Sequence, residues 1–94
     1  MGQPLILAPV LDLNAAAPLR ATLLEHRGEP LSLDASHVQR LGGLCLQVLL
    51  SAARTWADDG RIFEIAPRSA AFDEALALFG AAAKFDDEQL LGVG

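Results

Sequence analysis

Four side chains that could do chemistry fall in one stretch: Asp34, Ser36, His37 and Cys45, with the pair Gly42-Gly43 between the last two. No nucleophile, base and orienting group converge by a recognised spacing, so no catalytic residue is assigned and an enzyme is not expected. Asp34 suits a capping role, accepting backbone amides of the loop that follows it. A diglycine opening a helix can cradle an anion on exposed amides. The pattern is not G-x-x-x-x-G-K and no Lys follows, which leaves a nucleotide site without support. The expectation for Gly42 and Gly43 is instead a loop with unusual backbone angles or close contact with a partner.

The remaining candidates have plainer explanations. His26 and His37 lie eleven residues apart with no third ligand nominated, so neither metal nor cofactor is expected. Cys45 is alone, which excludes an internal disulfide and suits a reducing cytoplasm; on an apolar helix face its thiol belongs to the core. Trp56 is expected to cover one end of the sheet. Arg40, Arg54 and Arg61 are scattered and suit pairing with Asp58 and Asp59, while Asp86-Asp87-Glu88 reads as a solvated tail.

The elements that must position these residues follow from the spacing of apolar positions. Residues 4–10 are nearly all apolar and predict a first strand covered on both faces. Asn14 is placed to cap a helix with Pro18 in its first turn and Ala16, Leu19, Leu23 and Leu24 inward, ending at Gly28. Residues 31–34 predict a short buried strand, and 35–41 a loop. From Gly42 onward a helix carries an apolar arc of about 240°. That arc leaves Leu46 and Leu50 on a flank that needs a neighbouring element, the default, or another protein. Asp58-Asp59-Gly60 turns the chain into a strand over 61–66, stopped by Pro67. Ser69 caps a last helix with Asp73 and Glu74 in its first turn, Phe72, Leu76 and Phe79 inward and Gly80 at its end. Residues 81–94 are read as a short extension and tail.

Strand and helix alternate over 94 residues, enough for one domain and one modest core. The formal net charge of -5, with a single Lys, argues against nucleic acid or an anionic membrane as partner. No apolar run approaches a membrane span, and the first ten residues lack a cationic region, so a cytoplasmic setting is expected.

Leu33-Asp34-Ala35-Ser36-His37-Val38-Gln39-Arg40-Leu41-Gly42-Gly43-Leu44-Cys45-Leu46, followed by Arg61-Ile62-Phe63-Glu64-Ile65 and a helix over 72–79, resembles the STAS domain family. The resemblance spans residues 4–80. It implies a small α/β domain, a mixed or parallel sheet of three to five strands with helices packed against it. It also implies a regulatory protein-interaction module rather than an enzyme. In that family the loop before the central helix reads Asp, then Ser or Thr, a small residue and Gly. Those positions fall here on Gly42, Gly43, Leu44 and Cys45, so the hydroxyl that accepts a phosphoryl group is missing.

The resemblance implies a docking surface at Ser36, His37, Arg40, Gly42 and Gly43, with Leu46 and Leu50 on its flank, and no phosphorylation at position 43. The partner implied is a signalling kinase, an anti-sigma factor or a chemotaxis component, and a homodimer is compatible with the pattern. Two alternatives stand beside it: an accessory subunit of a lipid-transport ATPase complex, and a binder of a small molecule, nucleotide or lipid, at the helix terminus.

Overall fold

In the computed structural model, which describes residues 4–80, strand and helix alternate as the apolar spacing predicts. The elements are β1 (Leu5–Ile6), β2 (Val10–Leu11), a 3-10 turn (Leu13–Ala15), α1 (Ala16–Glu25), β3 (Leu31–Ala35), β4 (Arg40–Leu41), α2 (Gly43–Asp58), β5 (Phe63–Arg68) and α3 (Ala70–Leu78). Three strands form a parallel sheet in the order β1-β3-β5, and β2 and β4 form a second, two-stranded parallel ladder. The expected tail over 81–94 lies outside the described residues.

The first strand departs from the expectation. Residues 4–10 make two short strands, because the chain changes partner on the way: Leu7 N still donates to Asp34 O of β3 at 2.9 Å, whereas Pro9 O accepts from Gln39 N at 2.7 Å and Arg40 N at 3.1 Å. β1 is also covered on one face only. Leu5 lies half-buried opposite fully buried Leu33, while Ile6, paired with Asp34, is 63% exposed.

Asp12, not Asn14, makes the cap. Its Oδ1 accepts from Asn14 N at 3.1 Å and Ala15 N at 3.2 Å, starting a 3-10 turn that leads into α1. Ala16, Leu19 and Leu23 are buried as expected, whereas Leu24 is exposed. α1 packs against α2, and α2 against β5. On α2, Cys45, Leu46, Leu49, Ala52, Ala53 and Trp56 are buried.

Trp56 is sealed in, its Nε1 donating to Glu29 O at 2.7 Å and its ring tilted on Phe63 at 5.5 Å between centroids. Asp59 and Gly60 then turn the chain, with Gly60 at φ +69°, where a Cβ would be strained. Pro67 does not end β5, which runs on to Arg68. Leu33 pairs with Ile65 but Ala35 with Arg68, so one extra residue bulges on β5, and the missing proline donor falls in that bulge. The Ala66–Pro67 peptide is cis.

Ser69 Oγ accepts from Phe72 N at 3.0 Å and caps α3, which buries Phe72 and Leu76. Phe79, expected inside, is 49% exposed.

Candidate docking surface at the start of the central helix

β3 delivers its last residues to a loop held from three sides. Asp34 Oδ1 accepts from Ser36 N at 2.8 Å and from Ser36 Oγ at 2.6 Å, the capping role expected of it. These bonds, the hydroxyl's first, hold the Asp34 carboxyl below the usual carboxylate range, and the charge of nearby His37 adds to them. Val38 is buried at 1% and pins the middle of the loop. Its carbonyl accepts from Ser69 Oγ at 2.5 Å, and Ala35 O accepts from Ser69 N at 3.0 Å, so the cap of α3 also braces the loop. The third restraint is the β2-β4 ladder, which pairs Val10 with Arg40 and Leu11 with Leu41.

The ladder hands the chain directly to α2. Gly42 N donates to Leu11 O at 2.8 Å, and a Cβ at Gly42 would lie 3.3 Å from that same oxygen. Gly42 has φ -83° and ψ 163°, ordinary extended backbone, so the expected unusual angles are not found. Close approach to the chain's own β2 explains this glycine. Gly43, the first residue of α2, is exposed, and among the described residues a Cβ there would meet the Phe79 ring, at 3.8 and 3.9 Å. Gly42 at the N-cap offers no capping side chain and the first turn of α2 contains no acid, so this 16-residue helix supplies no counter-charge of its own to its positive end.

Ser36, His37, Arg40 and Gly43 are exposed and Gly42 half-buried along this loop and helix start. Leu46 is not on an exposed flank. It is 4% exposed and part of the core, and Leu50 is half-buried against that core, so the neighbouring elements cover the flank and Leu46 is withdrawn from the docking surface. Three apolar residues beside the helix start were not placed on this surface by the sequence: Leu13 and Leu44 were given no part in it, and Phe79 was expected inside. Leu13 is 73% exposed, Leu44 51% and Phe79 49%. Leu13 follows Asp12, whose carbonyl accepts from Cys45 Sγ at 3.2 Å, so the 3-10 turn abuts the first turn of α2. An apolar residue directly after a capping Asp was the available signal for Leu13.

Burial, and then the Asp12 charge, push the Cys45 thiol up, so it stays protonated and inert. Arg54 pairs with Asp58 at 3.4 Å, but Asp59 binds Arg27 at 3.1 Å, with the charge of Arg61 nearby. Among the described residues no three His, Cys, Asp or Glu side chains gather as a metal site.

The parallel sheet order, the braced loop and the start of α2 that it leads into define a small parallel α/β domain. The family model described as "Mlab, STAS domain" matches residues 3–91, and the chain belongs to the STAS domain family. STAS domains are regulatory protein-interaction modules, typically without enzymatic activity. No curated protein and no solved structure matches the chain. No helix among the described residues is long and apolar enough to cross a membrane.

Proposed function

We propose that this chain is a cytoplasmic, non-enzymatic docking module that binds a signalling protein, a kinase, an anti-sigma factor or a chemotaxis component. The partner rests on Ser36, His37, Arg40, Gly42 and Gly43, together with exposed Leu13 and Leu44. Binding is not gated by phosphorylation of the module, because Gly43 stands where the family resemblance puts the Ser or Thr acceptor. The observation that carries this reading is the exposed, uncapped first turn of α2, opening on a residue with no side chain. A flat, uncharged spot beside positive helix-end amides admits a partner surface at all times; a phosphoryl group would add charge and bulk there.

Affinity capture from the native cells, with the unaltered chain and Gly43→Glu side by side, tests the reading. The unaltered chain should recover a signalling kinase, anti-sigma factor or chemotaxis protein, and the Glu variant should recover about tenfold less. Equal recovery removes the helix start from the interface. Recovery of a membrane-bound transport ATPase instead would replace the signalling assignment.

A further inference from the structure

Helices α1 and α2 leave between them an open groove of about 390 Å³. Its floor is apolar, built from Leu23, Leu24, Val48, Ala52 and Trp56, and Leu44 lines it near the helix start. Leu24 and Leu44 remain 45% and 51% exposed. The two banks differ in charge. The bank on the α1 side carries Arg20, within the helix, and Arg27, in the turn just past its last residue Glu25. α2 supplies Gln47, Ser51 and Thr55, an uncharged row at four-residue spacing. Among the described residues no Asp or Glu lines the groove, in a chain whose formal net charge is -5. Asp59 holds the Arg27 guanidinium through Nε at 3.1 Å and Nη2 at 3.4 Å, and Arg20 is exposed with no ion pair among the described residues.

We infer that the α1-α2 groove receives an acidic amphipathic helix of a protein partner, its apolar stripe on Leu24, Leu44 and Val48 and its carboxylates facing Arg20 and Arg27. Three features select this occupant. The charged side chains lining the groove are both arginines, and while Asp59 holds Arg27, Arg20 is unpaired among the described residues, so the groove complements acid in an otherwise acidic protein. Gln47, Ser51 and Thr55 repeat at helical intervals beside an elongated apolar floor, so a third helix can lie along the groove, whereas one compact anionic headgroup reaches a single Arg. Leu44 belongs both to the groove and to the first turn of α2, so a partner seated at the helix start can continue into the groove. The class of occupant, a protein, rests on the docking reading above.

The test uses the full chain and two capped helical peptides of about 16 residues with the same Leu stripe, one flanked by Glu and one by Lys. Sodium decanoate serves as a lipid-like anion. Binding is followed by Trp56 fluorescence and by amide chemical shifts. The Glu peptide should bind about tenfold more tightly than the Lys peptide, with shifts confined to residues 19–27 and 44–56, and Arg20→Glu should reverse that preference. Equal affinity for both peptides, shifts away from the groove, or displacement of the Glu peptide by equimolar decanoate overturns the inference. Gly43→Glu should leave peptide affinity within about twofold, since it lies off the charged bank. Loss of native partner recovery in Gly43→Glu alone, with both peptides binding alike, therefore discards the groove and keeps the docking reading. The converse pair of results discards the helix-start interface.

Discussion

Replacing Gly43 separates the stability of the helix start from its role in binding. Gly43 is exposed at the first position of α2, its φ is not positive, and an added Cβ would sit 3.8 and 3.9 Å from Phe79 ring carbons, ordinary van der Waals contact. Gly43→Ala therefore costs nothing in the folded state and removes freedom from the unfolded chain, stabilising by about 0.4 to 1 kcal/mol. Gly43→Glu keeps that gain and places an acid in a first turn that has none, adding about 0.3 to 1 kcal/mol through the helix dipole.

With a urea m-value of about 1 kcal/mol/M for a domain this small, the Ala variant should raise the midpoint by about 0.4 to 1 M and the Glu variant by somewhat more. Urea titration followed by Trp56 fluorescence measures both, with m unchanged. Partner binding should respond in the opposite sense, lost in the Glu variant and kept in the Ala variant. A midpoint for Gly43→Ala lower than that of the unaltered chain by about 0.5 M would refute the described packing at the helix start.

Leu49, fully buried on the inner face of α2, should cost about 2 to 5 kcal/mol when truncated to Ala, and a urea midpoint showing less than about 0.5 would place that face elsewhere. Ser69→Ala removes both the cap of α3 and the donor to Val38 O, and should lower stability by about 0.5 to 2 kcal/mol and perturb loop amides 35–40 in the NMR spectrum. Asp34 and Asp59 both have folded pKa values below the ordinary 3.8, from Ser36 and Arg27 respectively. Their contribution is full above that unfolded value and is lost as pH falls through the lower folded values, so urea midpoints should decline in acid. Asp59→Asn should flatten that decline, and an identical acid profile in the variant would contradict the Arg27 pairing.

Much of the scaffold was legible because local physics sets it. The apolar spacing after Gly42 placed α2, the alternation at 31–34 placed β3 to within one residue, and Ser69 followed by Asp73 marked the start of α3. Other features had no local signature. β4 is Arg40–Leu41, two residues that become a strand only by pairing with Val10–Leu11 about thirty positions away. Asp12 and Asn14 are both good capping types two residues apart, and the chain's path into the 3-10 turn chose Asp12. Pro67 looked like a strand end because proline lacks a donor; the bulge opposite Leu33 and Ala35 supplied a place where no donor is needed.

The composition of the docking surface divides the same way. That Gly43 opens the central helix and offers no hydroxyl is written in the residue types, as is the alternation of β3, α2, β5 and α3. Which side of α2 stays uncovered is not, since helical periodicity fixes the angle between side chains but not the neighbours that meet them. Packing buried Leu46 and left Leu13, Leu44 and Phe79 in solvent around the same first turn, because those outcomes depend on where α3 and the 3-10 turn come to rest.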